Sequence, residues 1–371
     1  MVYRQQASLF GQTVLEVPHT EGIKYAGSKL KIIPYIVRAI EPYTDIRTVL
    51  DGFSGTTRVS QAFTQLGYDT TSNDISVWSE VFGKCYLLSR KPDSFYQEIL
   101  DHLNSLPGHE GWFSYYYGGA LEDSKKPFQL KNTKKLDTIR EEIEELNLDD
   151  IDKSVILTSL ILALDSVDST LGHYVSYLAD WSARSYNDLY LRLPKRFPVL
   201  TKNRVIRDDI FNTIQKNEYD LVYFDPPYGS NNEKMPPSRV RYNSYYHIWT
   251  SVILNDRPEV FGKVNRRMDT KDTINPSIFE EYKKSPNGHF IAMEALNKLI
   301  ANTRTHYIVL SYSSGGRATK RDLLDILTSN GKLTNMLEID YKKNVMANMK
   351  WTNEWLNNDE PYREYLFVLE K

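Results

Sequence analysis

Leu221-Val222-Tyr223-Phe224-Asp225-Pro226-Pro227-Tyr228 joins four apolar residues to an acid, two prolines and an aromatic ring. A short apolar run bounded by turn formers reads as a buried strand. Asp225 then falls at the carboxyl end of that strand, where open α/β sheets bind their ligands. The two prolines fix φ and remove two backbone donors, so the turn offers a carboxylate and carbonyl oxygens with no N–H between them. Such an acceptor-only cradle suits an exocyclic amine. The Asp225 carboxylate and the Pro226 carbonyl each take one N–H, which leaves electron density on a nitrogen attacking an electrophile. Tyr228 adds a ring on which a flat heterocycle can stack. The plainer alternative is a rigid Pro-Pro turn with Asp225 as its cap.

Upstream, Leu50-Asp51-Gly52-Phe53-Ser54-Gly55-Thr56-Thr57 is again a strand running into a helix through a turn of small residues. Small residues let the backbone approach a ligand, and a helix N-terminus stabilises negative charge. The glycines at 52 and 55, with Thr57 where another would fall, depart from the dinucleotide fingerprint, and no Gly-Lys-Ser/Thr follows. A carboxylate at Asp51 suits instead a ligand with an ammonium group, such as the methionine end of S-adenosylmethionine; a plain strand-to-helix turn is the alternative. Asn73-Asp74 follows the next strand, about 20 residues on, where an acid reaches ribose hydroxyls in nucleotide folds. In Asp208-Asp209-Ile210 a carboxylate can accept from an adenine amino group. Either acid, taken singly, also reads as a helix cap. Ile23-Lys24-Tyr25-Ala26-Gly27-Ser28-Lys29 is a loop with two cations around a Gly-Ser turn.

Strand-like runs at 48–51, 68–71, 204–206, 221–224 and 307–310 alternate with helical patterns at 31–40, 57–66, 290–303 and 320–330, the last closed by Gly331. This predicts a parallel, doubly covered sheet. The runs 336–341 and 364–369, too close for a long helix between them, predict an antiparallel pair closing its edge. Between about Ser79 and Leu200 the alternation breaks. A charged amphipathic helix at 134–148 and an apolar one at 155–164 predict an inserted, mainly helical domain at 81–199, with the sheet domain made of 20–80 and 200–371. Length of 371 residues accommodates both, and 46 basic against 48 acidic residues mean that any polyanion must meet a local basic face. The 26 tyrosines, 14 phenylalanines and 6 tryptophans supply stacking surfaces as well as core. No apolar run approaches the roughly 18 residues of a membrane span, and Met1 to Val17 lacks a signal pattern, so a cytoplasmic protein is expected.

The order K-Y-A-G-S-K, D-G-F-S-G-T, N-D and D-P-P-Y resembles the alpha group of amino-DNA methyltransferases, the DNA adenine methylases. The resemblance covers residues 22–74 and 202–371. It implies a Rossmann-like methyltransferase sheet that uses S-adenosylmethionine, with a target-recognition domain in the insert. Tyr25, Lys29, Asp51, Phe53, Ser54 and Gly55 would bind the cofactor, with Asp74 on its ribose and Asp209 and Ile210 flanking its adenine. Asp225, Pro226, Pro227 and Tyr228 would form the catalytic cradle, with Asp225 also among the cofactor-binding residues. The implied reaction is transfer of a methyl group to N6 of a flipped-out adenine in double-stranded DNA. The implied setting is a restriction-modification system with a cognate endonuclease acting on the same site, and the implied state a monomer or weak dimer without a metal. A methyltransferase for another planar amine (RNA adenine, cytosine N4) and a non-catalytic DNA-binding relative are the competing readings.

Arg239, Arg241, Tyr245, Tyr246, His247 and Trp249 interleave cations and rings after Lys234, a pattern that can track a phosphate backbone and stack on bases. A buried aromatic helix covering the sheet fits the same residues, and His247 reads as a core histidine. Cys85 is the single cysteine and is expected to be buried. Carbon-5 methylation of cytosine needs a thiolate, and Cys85 sits in Lys84-Cys85-Tyr86 without a preceding proline and outside any catalytic-looking turn, so that chemistry is disfavoured.

Overall fold

The computed structural model describes residues 6–7, 13–14, 16–123, 125–229, 241–271, 277–340 and 363–371. Arg239 and Lys234 lie outside them. Seven strands form the central sheet: β1 (Thr48–Asp51), β2 (Asp69–Asn73), β3 (Arg204–Ile206), β4 (Tyr219–Phe224), β5 (Thr305–Ser313), β6 (Lys332–Asp340) and β7 (Arg363–Glu370). Their spatial order is β6-β7-β5-β4-β1-β2-β3. Every pair from β5 to β3 is parallel, and β7 runs antiparallel to both β5 and β6. The expected antiparallel pair is present, but β7 lies inside the sheet and β6 alone forms the edge. The sequence explains this placement: 364–369 is almost wholly apolar and fully covered, whereas β6 is half exposed and carries Lys332, Glu338 and Asp340, as edge strands do.

Alternate residues of the central strands face opposite layers. Val49, Leu221 and Tyr223 pack with α1 (Ile33–Ile40) and α2 (Arg58–Gln65) on one face. Leu50, Val222 and Phe224 pack with α8 (Ile210–Lys216), α11 (Ile291–Asn302) and α12 (Lys320–Asn330) on the other. Burial on both faces is why β4 reads as a continuous apolar run. Helix α12 begins with a capping box between Thr319 and Asp322 and ends before Gly331, as expected. The reason for glycine differs from a left-handed cap: Gly331 is extended at φ 171°, and a Cβ there would meet the Glu370 carbonyl at 2.5 Å.

Between β2 and β3 come α3 (Val77–Gly83), continued by one π-helical turn at Lys84–Leu88, then α4 (Asp93–Ser105), α5 (Trp112–Tyr117), α6 (Leu130–Glu145) and α7 (Asp150–Val167). Asp149 caps α7 by accepting the Asp152 N–H at 2.8 Å. These helices do not close on themselves. Their apolar core also takes in Ile23 and α10 (His247–Leu254), which follows the one-turn α9 (Tyr242–Tyr245) after β4. The buried Arg140 of α6 ties the two parts together, its guanidinium donating to the carbonyls of Val252 (2.5 Å) and Ile253 (3.1 Å) at the end of α10. No helix among the described residues is long and apolar enough to cross a membrane.

Candidate active site

Strand order reverses around β1, and a cavity of about 680 Å³ opens there, at the carboxyl ends of β1, β2 and β4. Tyr25, Lys29, Asp51, Phe53, Ser54, Gly55, Asp74, Asp209, Ile210 and Asp225 to Tyr228 all line it. The turns singled out in the sequence thus converge on one space.

The β1 turn is shaped by its neighbours. A Cβ on Gly52 would meet Phe224 Cδ1 at 2.8 Å, so only glycine lets this backbone lie on β4. Gly55 and Thr57 have φ of +48° and +62°, so the position where the fingerprint would call for glycine takes a left-handed conformation with threonine. Asn73 pins the turn, donating to the Gly52 carbonyl at 3.2 Å while accepting from Thr213 at 2.7 Å. Ser54 Oγ is hydrogen-bonded to Ser79 Oγ at 2.9 Å, a structural bond at the rim of the cavity.

Asp51 is 1% exposed. One carboxylate oxygen accepts from Ser60 Oγ at 2.6 Å; the other, Oδ1, has no partner among the described residues. Burial pushes its pKa up to about 7 against the Ser60 hydrogen bond, with the charges of Asp225 and Asp74 acting in the same direction as burial. A buried acid with one idle oxygen at a cavity wall fits a cationic group such as the ammonium of S-adenosylmethionine. Asp74 accepts the N–H groups of Gly55 and Ser76, each at 2.9 Å, so it shapes the turn as well as facing the cavity. Asp209 caps α8 through Phe211 N at 2.8 Å, leaving Ile210 and Phe211 on the wall. Phe279 stacks on Phe211 (ring centroids 5.9 Å apart, 9° between planes) and stands edge-on to Phe53 at 5.3 Å. These rings give the cavity an aromatic wall. Phe211 and Phe279 were not singled out in the sequence, because an isolated phenylalanine carries no local signal.

At the β4 turn the Asp225 carboxylate is engaged by the chain itself. Lys29 Nζ lies 2.9 Å from Asp225 Oδ2, 3.1 Å from Glu364 Oε1 and 2.9 Å from the Tyr228 hydroxyl. That hydroxyl in turn reaches Asp225 Oδ1, and Glu364 Oε1 at 2.7 Å. Lys29 lines the cavity, yet its charge is turned to these two acids. Burial alone would lower its pKa, but the paired acids raise it, so it stays charged. Burial holds Asp225 above the ordinary carboxylate range; Lys29 counters this, and the Glu364 charge adds to it. Glu364, on β7, is the principal residue that sequence reading missed.

Arg241 lines the cavity. Tyr245, Tyr246, His247 and Trp249 do not reach it: all are buried, which corrects their reading as a DNA-contacting stretch in favour of the aromatic-helix alternative. Their task is visible in the packing. Tyr25 stacks on Tyr246 (4.7 Å) and Tyr242 (5.3 Å), with Trp249 behind at 6.4 Å, and Tyr246 Oη accepts the Ala26 N–H at 2.7 Å. The rings thus anchor the 23–29 loop. His247 bonds the Tyr174 carbonyl at 3.1 Å, and burial pushes its pKa down to about 3, so it is a neutral core histidine. Cys85 is buried, its thiol pushed up to about 12 by that burial, and cannot act as a thiolate.

The sheet order, with acids closing β1, β2 and β4 around one cavity, defines an α/β protein of the S-adenosylmethionine-dependent methyltransferase class. Within that class, the family model for the D12 class N6 adenine-specific DNA methyltransferases matches residues 25–279, more than half of the chain, and the chain belongs to this family. It is similar to the modification methylase StsI of Streptococcus sanguinis, 29% identical over 365 residues that cover 94% of this chain and 52% of that protein. Type II methyltransferase M.FokI of Planomicrobium okeanokoites is 25% identical, with 94% and 53% covered. Type II methyltransferase M.NlaIII of Neisseria lactamica is 24% identical, with 94% and 99% covered. The chain therefore spans about half the length of the first two relatives and nearly all of the third.

Proposed function

We propose that the chain transfers a methyl group from S-adenosylmethionine to N6 of an adenine flipped out of double-stranded DNA, as the modification enzyme of a restriction-modification system with a cognate endonuclease. The observation that carries this reading is the convergence of Asp51, with its idle buried oxygen, and Asp225, in its acceptor-only turn, on one cavity. Family membership and the names of the relatives support it.

The cofactor supplies an electrophilic methyl group on a sulfonium. Asp51 would hold its ammonium, Asp74 its ribose hydroxyls, and the wall of Phe53, Ile210, Phe211 and Phe279 its flat ring. A base inside a duplex cannot reach this depth, so it must leave its stack at a cost of a few kcal/mol, which stacking on the cavity's aromatic rings offsets in part. Asp225 Oδ1 and the Pro226 carbonyl then accept the two amino hydrogens, which keeps the nitrogen lone pair available in line with its target. Target reading is assigned to the helical region 81–199, and chemistry to 20–80 with 200–371.

The test is transfer of a tritiated methyl group to duplex DNA, with RNA and protein acceptors in parallel, followed by nucleoside digestion. N6-methyladenine from duplex alone is expected. Label in methylcytosine, in RNA, or in no acceptor at all would reject the reading.

A further inference from the structure

Glu364 stands where the proposed chemistry needs a second carboxylate. It is 5% exposed, and its Oε1 accepts from Ser311 Oγ at 2.7 Å on the adjacent strand, which fixes the side chain. The same oxygen meets Lys29 Nζ at 3.1 Å and the Tyr228 hydroxyl at 2.7 Å. Both of those groups also bind Asp225, Lys29 at Oδ2 and Tyr228 at Oδ1. A phenol carries one hydrogen, so Tyr228 donates to Asp225 or to Glu364, never to both. Lys29, with three hydrogens and no lone pair, can bridge the two acids. To receive an amine, Asp225 must present a lone pair that these donors do not occupy, and the Tyr228 hydrogen takes one of those on Oδ1. Rotation of one O–H bond from Asp225 to Glu364 frees Oδ1 without moving a heavy atom.

We propose that Glu364 is a positioning residue for methyl transfer: it draws the Tyr228 hydroxyl hydrogen and part of the Lys29 charge away from Asp225, leaving Asp225 Oδ1 to accept the amine. This rests on the reading of Asp225 as the acceptor for the target amine. Without Glu364, Lys29 and Tyr228 have one carboxylate between them and both settle on Asp225, competing with the amine for its lone pairs. The contact also has an electrostatic side. The groups facing Asp225 are Lys29, Glu364, Tyr228, Tyr223, Asp51, Tyr25 and Tyr242. Among them the Glu364 charge opposes ionisation of Asp225, so its removal makes Asp225 easier to ionise.

The experiment compares the unaltered chain with Glu364→Gln, Glu364→Asp and Ser311→Ala. Glu364→Gln is expected to lower kcat at least tenfold, with KM for DNA and for the cofactor within about threefold, and to shift the acid limb of kcat to lower pH. Carbon-13 NMR of the Asp225 carboxyl, which needs no turnover, should show the same downward movement. Glu364→Asp, which keeps the charge, should recover part of kcat, and Ser311→Ala, which loosens Glu364, should give a smaller loss of the same kind. Should Glu364→Gln prove unfolded by circular dichroism, the latter two variants carry the test. An unchanged kcat in a folded Glu364→Gln, or an Asp225 titration that stays in place, overturns the proposal. If the unaltered chain itself transfers no methyl group, the failure lies with the proposed function instead.

Discussion

Replacing Asp51 with asparagine should weaken cofactor binding and strengthen the fold at once. The side chain is 1% exposed, with one oxygen on Ser60 and the other without a partner. Its pKa rises from 3.8 to about 7, chiefly through burial. The sign follows from linkage. The folded state holds the proton more tightly than the unfolded chain, so stability falls as pH climbs from about 4 to about 7 and stays reduced above that. At about 1.4 kcal/mol per pH unit, the ceiling on this loss is about 4 kcal/mol. Asparagine is neutral throughout and escapes it, although a buried amide N–H without a partner costs about 1–3 kcal/mol in return. The variant's melting temperature, relative to the parent's, should therefore climb from about pH 4 to about pH 7 and level off above that. Against this, a charge-assisted bond to an ammonium contributes about 1.5–3 kcal/mol. Its loss should raise the Kd of S-adenosylhomocysteine, measured by calorimetry, roughly 10- to 100-fold. An Asp51→Asn protein that binds this ligand as tightly as the parent, or whose relative melting temperature does not move with pH, would refute the assignment.

Asp225→Asn should lower kcat by roughly a thousandfold or more while the circular dichroism spectrum and affinity for S-adenosylhomocysteine stay near those of the parent; undiminished turnover would remove Asp225 from the chemistry. Trp249→Ala removes a ring that is 1% exposed and should destabilise by about 3–5 kcal/mol with no change in the salt dependence of DNA binding. Weakened DNA binding at unchanged stability would restore the nucleic-acid reading of that helix. Cys85 should resist N-ethylmaleimide in the native protein at pH 8, labelling only as the chain unfolds, and Cys85→Ala should keep its activity. Rapid native labelling would contradict the burial of the thiol.

Local chemistry carries a long way in this chain. The apolar run 221–224 and the proline pair after Asp225 restrict the backbone within a few residues, so the strand, its end and the acceptor-only turn were all legible. The β1 and β2 turns were legible for the same reason, and so was the alternation that makes the sheet parallel. What sequence alone left open was decided by partners far apart in the chain. The rings of Tyr245, Tyr246 and Trp249, between cations, suit a phosphate track or a core equally. The choice fell to the core because the loop of Tyr25, whose Ala26 lies 220 residues upstream of Tyr246, stacks on these rings. Glu364 offered no motif at all. It becomes part of the site only because β7 enters antiparallel between β5 and β6, in a register that sets Glu364 opposite Ser313 and brings it to Tyr228, 136 residues away. Periodicity and turn chemistry act over a few residues and are written in the order of the side chains; which strand slides in beside which is a property of the whole packed sheet, and it placed the second carboxylate.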